Sequence, residues 1–190
     1  VVQKEREEIV KICEECGARC CKGPSPNITI FDIVRILKYL NKKPRDVVQY
    51  FEYYTHEEYI TKILPRNYNV AISYETVREL ERKFGKYFKY MLIIKLRKID
   101  SDCIFLKNNR CTIYPVRPMA CRAYPLKISG IDDSCLLVKY GIDLSFERRW
   151  LLEYIKEINI HYNIFMNYEV FNLEKLIEIL ERFWNEVSIL

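Results

Sequence analysis

The chain has 190 residues, 49% hydrophobic and 30% charged, with eight cysteines, five glycines and a formal charge of +5. That balance belongs to a globular domain large enough to bury a core, and it excludes a disordered or fibrous chain. No run reaches the ~18 apolar residues of a membrane span, and eight thiolates on two divalent ions would cut the net charge to about +1, removing most of the electrostatic case for nucleic acid.

Residues 1–8 carry a charged, helical pattern rather than the apolar core of a secretory signal. A reducing cytosol is therefore expected, where cysteines serve as metal ligands more often than as disulfides. Residues 3–16 read as a helix with Ile9, Ile12, Cys13 and Cys16 on one side. Cys13, Cys16 and Cys20 are spaced i, i+3, i+7, so in a helix their sulfurs would share a face. Gly17 and the pair Gly23-Pro24 interrupt that helix near its cysteines. The vicinal Cys20-Cys21 diverges too much to suit one small tetrahedral ion, and fits a polynuclear cluster or two neighbouring metals better.

Thr29 to Asp32 forms a capping-box start for a helix reaching about Leu40, with Ile33, Ile36, Leu37 and Leu40 as core. Pro44 opens a second helix to about Tyr54. A short strand is expected near 70–73, then an amphipathic helix over 75–84 ending at Gly85. Residues 91–96 predict a strand. Residues 103–106 and 111–114 predict a hairpin turning at Asn108 and Asn109. Pro115, Pro118 and Pro125 make the segment after it a stiff loop carrying Cys111 and Cys121. Ser145 is placed as the cap of a helix to about Ile160, and Asn172 as the cap of one to about Val187. We see no internal repeat and no linker, and expect one domain over 1–190: a cysteine-motif region at 13–135 and a helical part at 145–187.

The cysteines fall as C-x2-C-x3-C-C, a long gap, then C-x7-C-x9-C-x13-C. Eight is twice the number that closes a zinc tetrathiolate or holds one 4Fe–4S cluster. The candidate ligands are Cys13, Cys16, Cys20, Cys21, Cys103, Cys111, Cys121 and Cys135. Wide spacing, the vicinal pair and basic neighbours (Arg19, Lys22, Arg110, Arg117, Arg122) favour iron–sulfur over zinc. Arg117, Arg122 and Tyr114 are candidates to contact the cofactor from outside the ligand set, with Tyr124 beside them. The spacing is neither C-x3-C-x2-C nor a ferredoxin run, and no G-x-G-x-x-G loop is present. His56 reads as a surface residue, and His161, within a helix, as a packed or solvated histidine, rather than as ligands.

Four stretches, Cys13-x2-Cys16-x3-Cys20-Cys21, Ile28-Thr29-x2-Asp32-Ile33, Cys103-Ile104-Phe105-Leu106 and Cys111-x-Ile113-Tyr114-x2-Arg117-Pro118-x2-Cys121-Arg122-x-Tyr124-Pro125, resemble the zinc- or iron-chelating domain named for its CxxCxxCC motif. The first stretch here is CxxCxxxCC, one residue longer than the name. The resemblance covers about residues 13–135 and implies a cysteine-bound metal. The same domain occurs in flagellin lysine N-methylases, which adds SAM-dependent protein methylation, as enzyme or accessory, to the functions implied. A zinc-stabilised interaction module is the plainer alternative. The fold class expected is α+β, mostly helical, with a small antiparallel sheet or hairpin and a cysteine-bound metal centre. Its protein or small-molecule partner, and whether it is an enzyme, are left open.

Overall fold

A computed structural model describes residues 2–23, 25–55, 58, 82, 92–128, 130–165 and 172–188. The expected strand near 70–73, all but residue 82 of the helix over 75–84, Gly85 and His56 lie outside the described residues. The architecture is mostly helical α+β with small antiparallel sheets. Helices α1 (Val2–Glu15) and α2 (Arg19–Lys22) lead to β1 (Asn27–Ile28), α3 (Ile30–Tyr39) and a 3-10 helix, Pro44–Gln49. Then come β2 (Phe51–Thr55), β3 (Leu92–Leu96), β4 (Lys98–Ile99), β5 (Asp102–Cys103), β6 (Leu106–Lys107) and β7 (Arg110–Cys111). A 3-10 turn at Tyr114–Val116, α4 (Met119–Ala123), β8 (Leu126–Lys127), β9 (Gly130–Ile131) and α5 (Leu136–Lys139) precede the long α6 (Ser145–Phe165) and α7 (Leu173–Phe183).

The run Leu-Ile-Ile-Lys-Leu of β3 is buried at every position, as a strand covered on both faces must be. It is the centre of an antiparallel sheet in the order β1-β3-β2, with Ile28 and Tyr53 both opposite Ile94. Lys95, the one charge in that run, directs its Nζ to the Ser25 carbonyl at 2.6 Å. Against the sheet lies the apolar face of α3, where Ile33, Ile36 and Leu37 are fully buried. From α7, Leu176 and Leu180 join the same core. Each such side chain contributes about 1.5–3 kcal/mol.

Helix α3 starts with the predicted capping box: Thr29 Oγ1 accepts from the Asp32 N–H at 3.1 Å and Asp32 Oδ2 accepts from the Thr29 N–H at 3.1 Å. Helix α7 starts at Asn172, whose Oδ1 accepts from the Lys175 N–H at 2.9 Å. Helix α6 is pinned by His161, which is 1% exposed. Its Nδ1 accepts from the Ile30 N–H at 3.3 Å and its Nε2 donates to the Leu92 carbonyl at 3.0 Å. Both ring nitrogens are thus engaged with the ring neutral, and burial pushes its pKa down to about 4. Of the two roles the sequence leaves it, packed or solvated, His161 takes the first.

Four expectations change. The helix from Pro44 stops at Gln49, and residues 51–55 form β2, because the Phe-Glu-Tyr-Tyr-Thr stretch finds β3 to pair with. Asp143, rather than Ser145, supplies the side-chain oxygen at the start of α6, accepting from the Ser145 N–H at 2.9 Å. The proline segment is not wholly irregular: the 3-10 turn and α4 flank Arg117-Pro118, so Cys121 sits on a short helix. Finally, residues 97–112 contain a short tandem. Two hairpins eight residues apart each turn on two positive-φ residues, Asp100-Ser101 and Asn108-Asn109. Each is then continued by the same bond, Ile104 N–H to the Arg97 carbonyl and Thr112 N–H to the Phe105 carbonyl.

Candidate metal centre

The tandem sets the spacing of two thiols. Cys103 closes the first hairpin opposite Lys98, and Cys111 closes the second opposite Leu106. Both pack against the main core. Their sulfurs hold equivalent positions, Cys103 facing the Phe105 N–H and Cys111 facing the Ile113 N–H.

The N-terminal cysteines reach these hairpins through a sharp reversal. Helix α1 ends at Glu15, and Gly17 and Ala18 then take φ +67° and +53°. The first helix thus ends where Gly17 is expected to interrupt it, and α2 presents Cys20 and Cys21 after the bend. Lysine and arginine side chains fasten it to the tandem. Lys98 Nζ donates to the Lys22, Gly23 and Ser101 carbonyls. These include carbonyls at the end of α2, where a cation is favoured. Lys22 Nζ donates to Asn109 Oδ1 at 3.1 Å, and Arg110 pairs with Glu14. The basic residues Lys22 and Arg110 thus join segments.

The third component is the proline segment. Asp32 Oδ1 accepts from the Met119 N–H at 3.0 Å, so the carboxylate that caps α3 also anchors the first turn of α4 and hence Cys121. Asp32 also pairs with Arg35 at 2.6 Å, and Arg35 in turn binds Glu157 of α6 at 2.7 Å. Arg122 donates to the Arg117 and Pro115 carbonyls and lies over the Trp150 ring at 4.6 Å. Its guanidinium holds the loop together and packs it on α6. Tyr124 donates its hydroxyl to Asp132 Oδ2 at 2.9 Å, tying the end of α4 to the turn that presents Cys135.

Between these parts lies a cleft of about 580 Å³, counted to its open mouth, walled by Cys13, Cys16, Cys20, Cys121 and Cys135 with Arg19, Arg117, Arg122 and Glu147. Cys20 is the exposed thiol, and the other seven are partly buried. The sulfurs lie close enough to repel one another as anions: Cys13 is raised by Cys20, Cys16 and Cys135, and Cys121 by Cys111, Cys20 and Cys103. Cys20 also raises Cys111 and Cys135. Cys21 lies beside Cys20 and outside the cleft wall, and both are free thiols. The structure brings cysteines from the two halves of the pattern to one place.

Burial and mutual repulsion raise several of these thiols. Burial, reinforced by Cys20, pushes Cys13 up to about 12, and burial raises Cys111 to about 11. Cys121 is driven well above its ordinary value by burial, and Cys20 by hydrogen bonding with the Cys21 thiol. Arg117 opposes the rise at Cys13, Cys20, Cys111 and Cys121. Its guanidinium stacks over the Tyr114 ring at 3.8 Å. Tyr114 thus acts as a platform for Arg117 and stands outside the cleft wall.

Among the described residues, no three Cys, His, Asp or Glu side chains already stand in a geometry that would hold one ion. One staggered step of χ1 moves a cysteine sulfur by about 3 Å, so the fit rests on the donors and their surroundings. They fit a thiophilic metal. Soft donors converge from three segments, Arg117 offsets negative charge, and backbone N–H groups face the sulfurs of Cys103, Cys111 and Cys135. Such N–H bonds stabilise thiolates once a metal displaces their protons.

Fold and cleft define a cysteine-cluster chelating domain as the class. The family described as "CxxCxxCC: Putative zinc- or iron-chelating domain" matches residues 12–137, and the chain belongs to it. The chain is also 27% identical over 146 residues to Uncharacterized protein MJ0661 of Methanocaldococcus jannaschii. That match covers 76% of this chain and 56% of the relative, so the chain spans little more than half of the relative's length. No solved structure matches. Among the described residues, no helix is long and apolar enough to cross a membrane.

Proposed function

We propose that the eight cysteines hold an iron–sulfur centre of the 4Fe–4S kind. The observation that supports this most is the convergence of thiols from both halves of the chain, Cys13, Cys16 and Cys20 with Cys121 and Cys135, in one cleft wall. Such a cluster takes four sulfurs, and eight can hold two. A bound cluster would provide electron transfer, or an iron at which a small molecule binds. The protein's own residues do the rest. Arg117 offsets the negative charge of the thiolates, the hairpin and α5 amides donate to sulfur, and Asp32 and Arg122 fix the segment carrying Cys121. We treat 1–190 as one unit because α6 bonds to the motif region through Glu157, His161 and Tyr154, the last donating to the Asn27 carbonyl at 3.0 Å.

Metal and sulfide analysis after anaerobic purification tests the proposal. Brown protein with iron and inorganic sulfide in equal amounts is the expected result. Colourless protein with stoichiometric zinc would overturn the iron assignment and leave chelation standing. Protein that takes up neither metal would overturn both.

A further inference from the structure

Glu147 lies in the first turn of α6, beyond the residues that match the family. It is 4% exposed and forms part of the cleft wall with Cys13, Cys16, Cys121 and Cys135. Its Oε2 is buried without a hydrogen-bond partner. Arg117, in the same wall, has a buried Nε in the same condition. The two groups carry opposite charge, yet no ion pair within 4.0 Å joins them among the described residues. By contrast the other fully buried acid, Asp32, meets Arg35 and two backbone N–H groups. A buried carboxylate is paired, or it coordinates a metal. Here five of the fourteen residues of the wall are cysteines.

We propose that Glu147 is a ninth ligand of the metal centre, an oxygen donor contributed by the helix that follows the cysteine motif. The inference rests on the chelating site proposed above and adds to it. An orphan carboxylate oxygen and an orphan N–H donor in one wall suit a centre that offers a metal to the first and a sulfur to the second. An oxygen among thiolates also makes its metal position harder than an all-sulfur one. That disfavours copper(I), which soft thiolates select, relative to iron or zinc.

Anaerobic titration of the full-length apoprotein with cobalt(II) tests this, comparing wild type with Glu147→Gln, which keeps the shape and removes the charge. The expected result is a loss of cobalt affinity of about tenfold or more at one position, with altered ligand-field bands and preserved sulfur-to-cobalt charge transfer. Unchanged affinity and spectrum in the variant overturn the Glu147 assignment while leaving the cysteine site intact. A wild-type protein that binds no cobalt overturns the assignment together with the site. Should Glu147→Gln fail to fold, X-ray absorption of the zinc-loaded wild type decides. An oxygen shell at about 2.0 Å beside sulfur at about 2.3 Å supports the ligand, and sulfur alone overturns it.

Discussion

The main core and the cleft follow different rules. In the core, Ile33, Ile36 and Leu37 of α3 pack with residues of β3 and α7, and the buried Arg35 beside them meets Asp32 and Glu157. In the cleft, burial is borne by thiols that repel one another as anions, beside a carboxylate oxygen and a guanidinium N–H left without partners. The first is held by packing and ion pairs. The second is stabilised by protons on sulfur in the apoprotein and, on our reading, by metal in their place. The contrast predicts which half responds when a metal is taken away.

The largest effect should come from chelation. Stripping the metal under reducing conditions is expected to cost up to about 10 kcal/mol of apparent stability, the scale of structural zinc in small domains. The loss should be local. Hydrogen exchange should quicken across α1, α2 and the tandem hairpins while β3 and α3 stay protected, and equal loss across both regions would contradict the division drawn here.

Asp32 is where the two regions meet. Replacing it by Ala leaves Arg35 buried with only Glu157 as a partner and frees the Met119 N–H. A loss of about 3–5 kcal/mol is expected in denaturant melts, the scale of breaking a buried charge pair. Metal affinity should fall with it, since α4 carries Cys121. A variant that lost stability and kept full affinity would show that the anchor does not reach the site.

His161 separates the regions by pH. Its folded pKa is depressed to about 4 from the ordinary 6.5, so the unfolded chain takes up the proton first as pH drops. Its contribution is fully present above pH 6.5 and is lost as pH falls through about 4, roughly 3 kcal/mol in all. Apoprotein melts between pH 7 and 4 should show that decline, and His161→Gln should flatten it. The same slope in the variant would assign the effect to carboxylates such as Asp132 and Asp143, whose pKa values are lowered by hydrogen bonds to neighbouring side chains and backbone.

What the sequence disclosed was local. Thr29 and Asp32 stand three residues apart, Asn172 directly precedes its helix, and β3 opens on the apolar triplet Leu92-Ile93-Ile94, so each can be read from neighbours in the chain. Residues 51–55 were misread because their strand identity depends on β3, some forty residues later. The first hairpin was missed because Asp100-Ser101 lacks the glycine or asparagine pair that advertises a two-residue turn. At the site, the cysteines identify themselves by residue type, but their convergence depends on the reversal at Gly17-Ala18 and on Lys98, which no spacing rule indicates. Arg117 and Arg122 look alike in sequence and differ in space, one facing thiols and the other holding carbonyls. Glu147, in Ser-Phe-Glu-Arg-Arg-Trp, looks like any charged residue of an exposed helix turn.

The smallest expected effect distinguishes the tandem as a spacer from the tandem as filler. Asn109 sits at φ +57°, and its Oδ1 accepts from Lys22 of the segment that bears Cys20 and Cys21. Replacing it by Val forces a β-branched residue into the left-handed region and removes that acceptor. About 1–2 kcal/mol should be lost in apoprotein melts. Replacing it by Gly relieves the backbone and still removes the acceptor, so its melt should stay near wild type. If the hairpin's work is to place Cys111 relative to Cys20, Asn109→Val should lower metal affinity more than Asn109→Gly does. Equal affinities for the two variants would mean that the turn's geometry does not set the distance between Cys111 and Cys20, and that the Lys98 and Arg110 contacts suffice to hold it.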